Sequence, residues 1–351
     1  MRGLFILLFV AFCLYLFINV EPHQIEDLLS KQPQNNEEER IMEEEQPVIQ
    51  SSVQSNETID DIASLIGKSE QVILDIYGEP NRKDLSAYDY EWWIYNNNLE
   101  NYIQFGVENG VVVTAFRTGS ESNEQQFNIG QSYESLNEEF SFADSVTVVY
   151  EEGSYRFEMK EEELSTRPLV VVGDIYVQLY FDDFEKKLSS VRYLNAETLV
   201  KQRPYELVYR GPLLDPKELS ADEWAVVEEG TEKQIIDFTN IIRNRFNQEV
   251  VEWDKVTAEV AYLHSKDMRT ANYFSHTSPT TGSLSDRLMA GNVPFQYAGE
   301  NIAAKYVDGV AAVEGWLNSE GHRKTLLNER FTHLGVGVSE KYYTQNFIET
   351  R

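Results

Sequence analysis

Residues 299–323 read GENIAAKYVDGVAAVEGWLNSEGHR, and this stretch decides the fold of the C-terminal third of the chain. Asp308 is a good helix N-cap, and Val313 and Trp316 follow it at helical spacing. Ser319 and His322 come three and six residues after Trp316 and share a face if the helical turn persists. Upstream, YFSHTSPTTG at 273–282 sets His276 among turn-forming residues, and Leu284 and Leu288 predict a short helix beyond it. Further back, Thr231-Glu232-Lys233-Gln234 has the capping-box pattern and predicts a helix start, with Ile235, Phe238, Ile242 and Phe246 on one face. A second helix is expected from the Asp254 cap, carrying Val260, Ala261, His264 and Met268, which makes His264 a packed, hydrogen-bonded core residue. Downstream, FTHLGVGVSEKYYTQNFIE at 331–349 alternates as a closing β-hairpin.

These motifs occur in a fixed order. NxxR at Asn240–Arg243, AxxHSxDM at Ala261–Met268, FSHTSP at Phe274–Pro279, GENIA at Gly299–Ala303, WxxSxGHR at Trp316–Arg323, LGVGV and TQNF together resemble the CAP superfamily, also called SCP or PR-1-like. The resemblance covers residues 231–351. It implies an α+β fold, an α-β-α sandwich of CAP type, with a cleft floored by two histidines and two acids. His276 and His322 match the histidines, and Glu300 matches the acid of GEN. The second acid of eukaryotic members falls at Ser319, so the set is incomplete. Glu314 and Glu320 lie near in sequence, but helical geometry turns Glu320 about 100° from Ser319. The IGKSEQVILDIYGEP opening at 66–80 resembles the CAP-associated N-terminal region of bacterial members.

Two neutral imidazoles and a carboxylate, here His276, His322 and Glu300, form an open three-ligand set for a divalent metal such as zinc. Spacings of this width do not diagnose a metal by themselves. The same residues also make a polar, hydrogen-bonded cleft in which Glu300 orients a histidine. Two functions follow. One is a non-enzymatic module that binds an extracellular lipid, glycan or peptide in a cleft of His276, Glu300, Ser319 and His322. The other is a metal-dependent hydrolase acting on peptide or cell-envelope substrates, with Glu300 as catalytic general base. There is no HExxH helix, no GxSxG elbow and no cysteine beyond Cys13, which favours binding over catalysis.

The chain has 351 residues and a net charge of −29. Residues 231–351 hold 15 acidic against 13 basic side chains, a net of −2, which leaves −27 for residues 1–230. An acidic excess with no basic cluster excludes nucleic acid as a partner. Arg2 precedes an apolar run from Leu4 to Ile18, and acidic residues follow it. That asymmetry predicts a membrane anchor or signal segment at 1–20 with the rest of the chain outside the cell, anchored or, after cleavage, secreted. Cys13 lies inside the run, so no intramolecular disulfide is possible. Residues 21–62 carry 12 acids and two bases, read as a self-repelling linker in which His23 is solvated.

Residues 63–225 are expected to form a smaller α+β module. Ile66-Gly67-Lys68-Ser69 recurs as Ile129-Gly130-Gln131-Ser132, which suggests two repeats, 63–120 and 128–215. The first opens with a short helix ended by Gly78 and Pro80 and continues in strands, with a hairpin turn at Glu108-Asn109-Gly110, and the second echoes that opening and continues in further strands. Neighbouring residues of a strand face opposite ways, so at least one of Trp92 and Trp93 belongs to a core.

Overall fold

The computed structural model describes residues 62–119 and 126–350, together with the two-residue strand β1, Arg40–Ile41. The apolar run with Cys13 and most of the acidic segment with His23 lie outside the described residues. Among the described residues no helix is long and apolar enough to cross a membrane.

The two Ile-Gly-x-Ser segments are used alike. Ser69 caps helix α1 (Glu70–Tyr77) and Ser132 caps α2 (Tyr133–Phe140), each accepting a backbone N–H of the first turn. The Gly67 N–H donates to the Val112 carbonyl, and the Gly130 N–H to the Leu188 carbonyl. Both glycines sit at positive φ, 84° and 89°, which a side chain would strain. Each segment is thereby docked on the start of a strand, β5 (Val111–Gly119) or β10 (Lys187–Leu194). Those strands pair antiparallel in the middle of a seven-stranded sheet. Its other members are β2 (Arg82–Leu85), β3 (Glu91–Tyr95), β4 (Asn101–Glu108), β8 (Leu169–Val172) and β9 (Ile175–Asp182). They run in the order β2-β3-β4-β5-β10-β9-β8. Asn109 and Gly110 both take positive φ, as a two-residue hairpin turn requires.

The second segment also builds something the first does not. Strands β6 (Ser145–Tyr150) and β7 (Gly153–Glu158) leave the large sheet and join β11 (Glu206–Arg210) and β1 in a four-stranded sheet. The short helices α3 (Glu161–Thr166) and α4 (Ala196–Gln202) belong to this region. Val146, Val148, Tyr155 and Phe157 close a separate core against Leu199.

Helix α5 (Ala221–Arg245) does not begin at Thr231. It begins ten residues earlier, at a capping box in which Ser220 Oγ accepts the Glu223 N–H and Glu223 Oε2 accepts the Ser220 N–H. That stronger cap propagates through Thr231, whose hydroxyl donates back to the Val227 carbonyl at 2.8 Å. The C-terminal sheet has the order β12-β14-β15-β13, made of β12 (Glu252–Trp253), β13 (Tyr297–Ala304), β14 (His333–Ser339) and β15 (Tyr342–Glu349). One face carries α6 (Lys255–Ala271) and α7 (Leu284–Ala290), and α5 and α8 (Gly309–Leu317) pack on the other. The expected hairpin at 331–349 is β14 with β15. The glycines of LGVGV have a packing purpose: a Cβ on Gly337 would lie 1.8 Å from the Tyr262 nitrogen, so α6 rests directly on the strand.

Both faces of the seven-stranded sheet are covered. Trp92 and Trp93 are 2% and 3% exposed, so each is core on its own side. Trp93 joins Phe105 and Leu136 beneath α1 and α2. Trp92 joins Tyr90 and Phe116 in a core shared with Ile235, Phe238 and Trp316 of α5 and α8. The layers therefore run α1/α2, seven-stranded sheet, α5/α8, C-terminal sheet, α6/α7.

Polar contacts fasten the same interface. The Arg192 guanidinium, fully buried, donates to Asp308 at 2.8 Å. Arg82 bridges Asp84 and Asp237, and Arg323 reaches Asp182 at 2.8 Å. Removing one partner of a buried ion pair leaves the other charge unpaired. Arg192→Ala should therefore cost about 3–5 kcal/mol in urea denaturation. Because one core is shared by the seven-stranded sheet, α5, α8 and the C-terminal sheet, tryptophan fluorescence and far-UV circular dichroism should report one coincident transition.

Candidate functional site

The cleft is built outward from α6. His264 is 1% exposed, and its Nε2 lies 3.0 Å from the Ser275 carbonyl. A carbonyl only accepts, so Nε2 carries the proton, and the bond pins the residue before His276. Burial pushes the His264 imidazole below its ordinary pKa. Asp267 accepts from Tyr273 Oη at 2.5 Å and from Ser278 Oγ at 2.7 Å. The AxxHSxDM motif thus serves as the anchor of the FSHTSP loop, and His264 is a core histidine as expected.

His276 projects from that loop with its side chain 49% exposed. Its Nδ1 lies 2.9 Å from Glu300 Oε1. The other carboxylate oxygen of Glu300 accepts Arg287 Nη2, and both side chains are nearly fully buried, at 3% and 4% exposure. Arg287 also donates to the carbonyls of His276 and Gly282, each at 3.0 Å. Loop, strand and helix α7 are therefore tied together at one guanidinium. Arg287 did not figure in the sequence reading. Its neighbour Leu288 is wholly buried, but nothing in a seven-residue helix shows that an arginine faces the same way.

The opposite wall is α9 (Glu320–Leu326). The helix carrying Trp316 ends before Ser319, so the continuous turn considered for Ser319 and His322 is broken. Ser319 instead becomes the N-cap position of α9, where its Oγ lies 2.9 Å from His322 Nδ1. The His276 and His322 rings are tilted at 42° to each other with centroids 6.2 Å apart. Burial first, and then the neighbouring His276, push the His322 imidazole down to about 4. It is neutral at physiological pH.

All four cleft residues named from sequence, His276, Glu300, Ser319 and His322, come together. Glu314 does not join them: it is 2% exposed at the inner interface, accepts from the Ser190 hydroxyl, and is pushed by burial up to about 7. Glu320 pairs with Lys324 on the surface. Among the described residues no group of three His, Cys, Asp or Glu is placed to hold a metal ion. Both carboxylate oxygens of Glu300 are already engaged, one by His276 and the other by Arg287.

Residues 236–349 match the cysteine-rich secretory protein family, CAP, and residues 66–205 match the CAP-associated N-terminal region. The chain is 50% identical over 349 residues to an "uncharacterized membrane protein", YlbC, of Bacillus subtilis, covering 99% of this chain and 98% of that one. A crystal structure of an extracellular protein containing a SCP domain from Bacillus anthracis is 48% identical, with a TM-score of 0.79, covering 88% of this chain and all of the other. A cysteine-rich secretory protein from Staphylococcus aureus, 23% identical, covers 82% of this chain and 94% of its own with a TM-score of 0.72, a likeness of fold.

The low His322 pKa has a stability consequence with a definite sign. Above about pH 6.5, the ordinary histidine value, the group is neutral in both folded and unfolded chains and contributes no slope. Between about 6.5 and 4 only the unfolded chain takes the proton, so stability falls as pH falls, and below about 4 this contribution is constant. In urea titrations from pH 7 to 4.5, His322→Gln should lose less stability than the wild type.

Proposed function

We propose that this chain, which belongs to the cysteine-rich secretory protein (CAP) family and carries its CAP-associated N-terminal region, is an exported surface protein that binds an extracellular ligand between His276 and His322. The ligand is a lipid, glycan or peptide. The membrane anchor expected at residues 1–20 would hold the cleft outside the cell.

One observation carries the choice of binding over hydrolysis. Both oxygens of Glu300 are engaged, one by His276 and one by Arg287, and the side chain is 3% exposed. A general base must reach the proton it abstracts in a plausible substrate pose. Glu300 is turned inward instead, fixing the tautomer of His276: Nδ1–H donates to the carboxylate and leaves Nε2 as an acceptor. His322, neutral and held by Ser319, offers a second polar nitrogen. The cleft is thereby a preorganised pair of imidazoles, one oriented by Glu300 and the other by the Ser319 hydroxyl.

Full-length protein should show no turnover of peptide or cell-wall fragments. Glu300→Gln should leave Arg287 buried without its counter-charge and cost about 3 kcal/mol or more in urea denaturation. Turnover by the wild type that vanishes in a still-folded Glu300→Gln variant would sink the binding reading. Zinc calorimetry should give the same absence of heat for the wild type and for His276→Ala with His322→Ala. Heat confined to the wild type would instead support a metal.

A further inference from the structure

Strand β13 is the last strand of its sheet, with β15 on one side and no strand on the other. The register tells which of its backbone groups face outward. Ala304 pairs with Tyr342, and just beyond them the Lys305 N–H donates to the Lys341 carbonyl. In an antiparallel ladder such bonds recur at alternate residues, so odd-numbered positions of β13 turn toward β15 and even-numbered positions turn away. Ile302 agrees with this, because its carbonyl accepts Trp316 Nε1 at 2.9 Å from the outer side. Ala298 and Glu300 are the outward residues nearer the cleft. The Glu300 side chain is 3% exposed, yet the residue as a whole is half-buried, so solvent reaches it through the main chain. Ala298 is likewise half-buried.

Both histidines are tied to this edge. His276 contacts the Glu300 side chain, whereas Asn301, which points to the other face, donates to the His322 carbonyl at 3.2 Å. The two rings lie 6.2 Å apart, so both imidazoles sit close to Glu300.

We propose that an extended peptide adds as a strand to the outer edge of β13 at Ala298 and Glu300. This rests on the binding reading above and names the ligand chemistry of that cleft. Two outward residues present two N–H donors and two carbonyl acceptors about 6.6 Å apart, the two-residue repeat of a strand. Trp316 on Ile302 ends the ladder on one side, so the added strand is short. The charge balance suits an amide: Arg287 compensates Glu300 and His322 is neutral, which leaves no surplus positive charge for a phosphate headgroup.

The test selects a random-sequence octapeptide library on immobilised full-length protein in detergent. Ala298→Pro is the informative variant, because it removes one outward N–H at an edge where no internal bond is lost. Enriched peptides should bind the variant about ten-fold more weakly. They should lose binding when N-methylated on one alternate set of residues and keep it when methylated on the other. If Ala298→Pro fails to fold, the two methylated sets on the wild type decide alone. No enrichment, equal binding to a folded Ala298→Pro variant, or equal response to both methylated sets overturns strand addition. So does a wild-type dimer that Ala298→Pro makes monomeric, since the edge would then be occupied by a second copy. Loss of peptide binding in His276→Ala with His322→Ala but not in Ala298→Pro removes the strand and keeps the cleft. Retention in both removes the cleft as well.

Discussion

Helices α5 and α8 are apolar on two sides at once, and the rest of the molecule depends on that constraint. One side meets Leu334, Val336 and Phe347 of the C-terminal sheet, and the other meets Trp92, Phe116 and Tyr180 of the seven-stranded sheet. Apolar surface buried on both sides of a helix pair cannot be exposed cheaply, at roughly 25 cal/mol for each Å² returned to water. The N-terminal region is therefore the second half of the core that the C-terminal helices need. Its reach extends to the cleft. Arg323, next to His322, pairs with Asp182, and Asn318 donates to the Phe181 carbonyl while accepting the Asp183 N–H. The wall that carries His322 is thus held from behind by strand β9.

Much of this was legible in the sequence because it rests on local chemistry. Polar caps at Asp254 and Asp308 announce helices that the structure contains, and the alternation at 331–349 announces the hairpin of β14 and β15. The cleft residues were legible because His276, Glu300, Ser319 and His322 fall at the matching positions of motifs in a fixed order. What could not be read is which surfaces meet. WWIY, residues 92–95, is apolar without a break, the signature of a strand covered on both faces, but nothing in it says that one cover is a helix pair at 221–245 and 309–317. The false helix start at Thr231 has the same origin. A capping box is a local preference, and a better box upstream overrides it once the helix has a partner on each side.

Arg243 shows how polar residues can look functional and be structural. It belongs to the NxxR motif, is fully buried, and has no acidic partner among the described residues. Its guanidinium is spent on carbonyls: Glu249, Leu326, Asn328 and Phe331. Burial without a counter-charge lowers its pKa. The bonds hold the chain that leaves α9, so this motif fixes the position of His322 from one end as Arg323 does from the other. Asn240 adds a reciprocal pair with the Val251 backbone.

The replacement of an acid by Ser319 gives the cleft its asymmetry. A carboxylate beside His322 would favour the imidazolium and raise its pKa, because an opposite charge within a few ångströms stabilises the charged form. A hydroxyl fixes the ring through Nδ1 without that effect, so desolvation dominates and the ring stays neutral. His276, by contrast, keeps its carboxylate, and that carboxylate is itself balanced by Arg287. One imidazole is thus oriented by a buried ion pair and the other by a neutral hydroxyl. A proton shuttle needs two groups that can exchange charge across the gap, and His322 resists taking one. Hydrogen bonding to a neutral ligand asks only for fixed donors and acceptors, which both rings and the free edge of β13 supply.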